Sequence, residues 1–72
     1  MEIERVEVTA KTCKAMTDQL EELGAVIVTE KLGDKIVKKA QNKRGKTLFK
    51  AIVYDEELVR VSYPKGLFDK RG

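Results

Sequence analysis

The residues whose type and spacing carry chemistry in this sequence are cations. Lys31, Lys35, Lys38, Lys39, Lys43, Arg44, Lys46 and Lys50 follow one another closely, and Asp34 is the single acid in that span. A phosphate backbone is held mainly by neutralised charges and the counterions they release, so cations at this density suit a polyanion. The net charge of +3 conceals a division along the chain. Residues 1–30 carry three basic side chains against seven acidic ones, and residues 31–72 carry twelve against five. Such asymmetry points to nucleic acid or another polyanion. The same lysines also have a plainer reading, because lysine on strands and hairpins keeps sheet edges from pairing with other chains.

Other chemistries find little to work with. There is no histidine, and the usual zinc, copper and iron ligand sets cannot be assembled around the one cysteine, Cys13. Acid-base and nucleophilic catalysis need a group tuned near neutral pH with a partner in reach. Neither Thr9-Ala10-Lys11-Thr12 nor Val61-Ser62-Tyr63 forms a nucleophile elbow, and no base or imidazolium stands near Cys13 to lower its thiol pKa. Cys13 reads as a core thiol. Asp55-Glu56-Glu57 has the composition of a magnesium site, but equally that of a solvated turn. Gly33, Gly45 and Gly66 are isolated, whereas phosphate-cradling loops need clustered glycines leading into a helix. The expectation is a protein without catalytic residues, metal or cofactor, which acts by stoichiometric binding.

The elements that position these side chains can be read from hydrophobic period. Residues 5–9 alternate, with Val6 and Val8 on one side, as in a half-buried strand. Over residues 10–23, Cys13, Met16, Leu20 and Leu23 recur at helical spacing, Thr9 or Thr12 can cap the start, and Gly24 can close the end. The β-branched run Val26-Ile27-Val28-Thr29 opens a strand over residues 25–32. Gly33-Asp34 suits a type II′ hairpin turn. Residues 35–42 read as strand in preference to a short helix on which Ile36, Val37 and Ala40 would share a side. Asn42-Lys43-Arg44-Gly45 reads as a hairpin loop, residues 46–54 and 58–63 as two more strands, and Pro64 ends the pairing. Residues 67–72 read as a frayed tail, with Leu67 and Phe68 able to tuck under the sheet.

The implied architecture is a two-layer α+β domain of residues 1–72, one amphipathic helix on a largely antiparallel sheet of about five strands, in the order β-α-β-β-β-β. At this length the chain holds one domain with a thin core. The longest apolar run is residues 25–28, too short for a membrane span, and the first residues lack the features of a secretory signal, so the expected location is the cytoplasm.

One helix leaves one sheet face uncovered, and that face defines the candidate sites. If Phe49, Ala51, Val53, Val59, Val61 and Tyr63 point inward, then Lys46, Lys50, Tyr54 and Arg60 point outward, as in single-strand binders that stack bases on a basic sheet. The candidate nucleic-acid contacts are Lys38, Lys39, Lys43, Arg44, Lys46, Lys50, Tyr54 and Arg60. The alternative is a protein-binding inhibitor or adaptor, of a size common among phage and mobile-element proteins. It would use Leu48, Ile52 and Tyr54 as an interface for a partner or a homodimer.

Overall fold

The computed structural model describes residues 2–68. Strand β1 (Ile3–Val8) leads into helix α1 (Ala10–Glu22), and strands β2 (Val26–Leu32), β3 (Lys35–Gln41), β4 (Thr47–Val53) and β5 (Val59–Pro64) follow. The fold is α+β, with one helix on a five-stranded sheet ordered β1-β5-β4-β3-β2. Every neighbouring pair is antiparallel.

Local chemistry sets both ends of α1. The Thr9 hydroxyl accepts a hydrogen bond from the Thr12 amide at 3.2 Å, satisfying one of the free donors of the first turn. At the other end the Gly24 amide donates to the Glu21 carbonyl and the Ala25 amide to the Leu20 carbonyl, a Schellman closure. That closure needs a left-handed residue, and Gly24 has φ +101°. The Ala10 amide also donates to the Glu56 carbonyl at 2.8 Å, tying the start of the helix to the turn between β4 and β5.

The buried stripe of α1 differs from its apolar stripe. Cys13, Thr17 and Leu20 are buried, Met16 is half-buried and Leu23 is 69% exposed. Leu23 occupies the C-cap, one residue past the helical span Ala10–Glu22. Thr17 takes the inward position instead, its hydroxyl donating to the Lys14 carbonyl at 2.9 Å so that burial leaves no polar atom unpaired.

Residues 35–41 form a strand because they are paired on both sides, to β2 and to β4. The β2–β3 turn is a two-residue loop with Gly33 at φ +64° and Asp34 at negative φ, the type II′ pattern. Asn42 organises the next turn: its side-chain oxygen accepts from the Arg44 and Lys46 amides, at 2.9 and 3.0 Å. A register shift at Ala40/Gln41 places an extra β4 residue opposite Gln41.

Beneath α1 lies a core of Cys13, Leu20, Ala40, Phe49, Ala51, Val59 and Val61. Phe49 is its largest member at 1% exposure, stacked at 6.2 Å on Tyr63 and met edge-on by Phe68 at 5.9 Å. Leu67 and Phe68 therefore pack against the core rather than fray. The expectation for residues 69–72 lies outside the described residues. Phe49→Ala should cost about 3–5 kcal/mol in urea denaturation, the usual consequence of emptying a buried aromatic site; a loss under about 1 kcal/mol would contradict this core.

Candidate nucleic-acid interface

Strand alternation sorts the cations by face. Register places Lys38 opposite Ala51 and Thr29, which puts it on the helix side, while Lys35, Lys39, Lys50 and Arg60 lie on the open side. Two cross-strand rows compose the centre of the open face. One runs Arg5, Ser62, Lys50, Lys39, Val28, and the next runs Glu7, Arg60, Ile52, Val37, Glu30. An open groove follows β1, β5 and β4 across these rows, with Arg5, Glu7, Lys50, Ile52, Tyr54, Arg60 and Ser62 along it.

Charge on this face is unbalanced. Among the described residues Arg5, Lys35, Lys39, Lys50 and Arg60 stand against two carboxylates, and both are engaged: Glu30 Oε1 lies 3.4 Å from Lys39 Nζ, and Arg60 Nε donates to Glu7 Oε2 at 3.2 Å. Among the described residues Arg5, Lys35 and Lys50 have no carboxylate within ion-pair distance. Lys39 and Lys50 are direct cross-strand partners, an arrangement that repels and that an anion between them would relieve.

Tyr54, just past β4, receives Lys35 Nζ at 5.1 Å and Arg60 Cζ at 5.6 Å from its ring centroid. These cations come from β3 and β5, the strands flanking β4, and each gains from the ring's negative face. Tyr54 is 38% exposed.

The eight candidate contacts thus divide into three places. Lys39, Lys50, Tyr54 and Arg60 share the open face. Lys43, Arg44 and Lys46 are exposed in the β3–β4 turn, separated from Tyr54 by the seven residues of β4, about 23 Å of strand. Lys38 belongs to neither group. It lies half-buried on the helix side, close enough to Cys13 to act on its thiol. Lys46 precedes β4 and is a turn residue rather than an outward strand residue.

The apolar row also needs correction. The shift at Ala40/Gln41 turns Leu48 away from Ile52 and Tyr54, and it lines a recess at the end of α1 with Leu20, Leu23, Ala25 and Leu67. The open-face row is Lys50, Ile52 and Tyr54. Two cations of this face, Arg5 and Lys35, are not among the residues that sequence reasoning singles out as contacts. The outward side of β1 carries Arg5 in plain alternation, but only the sheet order, with β1 beside β5, brings it next to Ser62 and Lys50.

Asp55 is occupied structurally, its side-chain oxygen accepting from the Glu57 and Leu58 amides at 2.8 and 2.9 Å. No helix of the described residues is long and apolar enough to cross a membrane. No protein-family model matches the chain, and no curated protein or solved structure does.

Burial pushes the Cys13 thiol above its ordinary pKa, with the Lys38 charge pulling the other way. The folded state therefore keeps the proton longer than the unfolded chain does, and stability should fall as pH rises through and above the unfolded thiol value of about 8.5. Denaturation midpoints of the wild type and Cys13→Ala, compared from neutral pH to about 10, check this. A difference between the two that does not change with pH would refute it.

Proposed function

We propose that the protein binds nucleic acid through its phosphate backbone, across the open sheet face and on to the β3–β4 turn. One observation supports this reading above the others: among the described residues, the face that no helix covers carries five cations, while its two carboxylates are already taken up by Lys39 and Arg60. Lys39, Lys50 and Arg60 are the face contacts. Lys43, Arg44 and Lys46 extend them at the turn, while Lys38 contributes only to the general field. Tyr54 holds Lys35 and Arg60 in place, and a base stacked on it would take the place of one of them. Binding of this kind neutralises charge and reads no base edge, so little sequence preference is expected.

Fluorescence anisotropy with labelled single-stranded DNA, duplex DNA and RNA at about 50 and about 200 mM salt tests the proposal, because several phosphate contacts lose orders of magnitude of affinity over that range. The pair Lys43→Ala with Arg44→Ala should weaken binding alike on all sequences and reduce the salt slope by about two. Unchanged binding in that pair would remove the turn from the site, and no binding at the lower salt would remove the function.

A protein partner is the second reading, supported by the apolar centre of the same face: Val37 is 3% exposed among the longer side chains, and Ile52 beside it is half-buried. Ile52→Lys separates the two. It adds a cation to a polyanion site and should maintain or tighten nucleic-acid binding, whereas it should abolish docking of a protein on this face.

A further inference from the structure

Among the described residues the sheet has two unpaired edges, β1 and β2. Seven residues long, β2 carries Glu30 and Lys31 as neighbours in sequence and hence on opposite faces. Antiparallel pairing of two β2 strands keeps faces matched, so Glu30 can never stand opposite Lys31 of a second copy. Edge β1 is different. Arg5 and Glu7 are two apart, on the same face, with Val6 between them on the other.

Which backbone groups of β1 point outward follows from its pairing with β5. The Lys65 amide donates to the Glu2 carbonyl at 3.0 Å, and Ile3 stands opposite Pro64, which has no amide proton. Antiparallel pairs alternate, so Glu2, Glu4, Val6 and Val8 turn their amides and carbonyls toward β5, and Ile3, Arg5 and Glu7 turn theirs away from the sheet.

We propose that β1 pairs antiparallel with β1 of a second copy, about a two-fold axis at Val6, joining two sheets through their edges. In that register Arg5 meets Glu7 of the other copy twice, each pair exchanging both backbone hydrogen bonds, and the outward groups of β1 are the ones used. Val6, 38% exposed, meets its own copy at the close, non-hydrogen-bonded position on the helix side. Glu4 stands opposite Val8, so no like charges face each other directly across the join.

The charges along this edge complement one another. Arg5 has no carboxylate partner among the described residues, and Glu7 offers Arg60 one oxygen, Oε2, leaving Oε1 for the incoming arginine. The result is a row of alternating sign across the join: Arg60, Glu7, then Arg5 of the second copy. A register centred on Arg5 would instead set arginine against arginine, and one centred on Glu4 glutamate against glutamate, which cost rather than gain. The pairing leaves Lys39, Lys50 and Lys35 untouched and places two open faces side by side, and it stands whether or not they bind nucleic acid.

Sedimentation analysis of the protein without nucleic acid is the test, with circular dichroism to confirm that each variant is folded. The wild type should associate as a dimer. Arg5→Glu and Glu7→Arg should each weaken association by about tenfold or more, since each turns two attractive pairs into repulsive ones. The two variants mixed should form a heterodimer that neither makes alone, because the first is acidic at both positions and the second basic at both. The chain carrying both exchanges should again self-associate. A wild type that stays monomeric at millimolar concentration would overturn the proposal. So would a dimer insensitive to both reversals, or a mixture of the variants that fails to associate.

Discussion

A single helix can cover only one face of a sheet, and most features of this protein follow from that constraint. Helix α1 has thirteen residues, about 20 Å of length, set across five strands spaced at about 4.8 Å. Its buried stripe is satisfied by one face: Phe49, Val59 and Val61 beneath, Cys13 and Leu20 above. Among the described residues no second helix packs on the other face. The chain lines it with long charged side chains, whose stems can lie along apolar surface while their ends stay in water, and Val37 at its centre is 3% exposed between Ile52 and Glu30.

The consequence is electrostatic. Side chains long enough to shelter an apolar centre are lysine, arginine and glutamate, and here cations predominate. The solvent-accessible ion pairs, Glu7 with Arg60 and Glu30 with the half-buried Lys39, add little to stability. Among the described residues they engage both carboxylates of the face, so an approaching anion would meet Lys50 and Lys35 unopposed by these. The cation–ring contacts at Tyr54 fix two of the charges in place, lowering the entropy lost when a phosphate is held. A surface that borders a thin core in this way also presents cations that an anion can reach.

Much of the fold was legible because each element carries its own local signal: the Thr9 cap, Gly24 at the helix end, the Gly33 turn and the Asn42 loop all act as their types suggest. Strand β3 was harder for a physical reason. Val37 and Ala40 are both buried yet lie on opposite faces, so neither a strand period nor a helical one fits the run cleanly. The same ambiguity concealed that Lys38 and Lys39 point apart. Leu48 was misplaced because a bulge resets alternation, and the extra residue opposite Gln41 carries no sequence mark. Arg5 and Lys35 needed the sheet order, a long-range property that no local window contains.

The central claim, that the open face and not the helix side meets the ligand, can be tested by methyl resonances of the two faces, titrated with a short single-stranded oligonucleotide. Ile52, Val37 and Val28 report the open face, and Leu20, Val59 and Val61 report the core. Shifts that concentrate on the first group and vanish on raising the salt are the predicted result. Shifts confined to the second group, or none at an oligonucleotide concentration that saturates binding elsewhere, would contradict it.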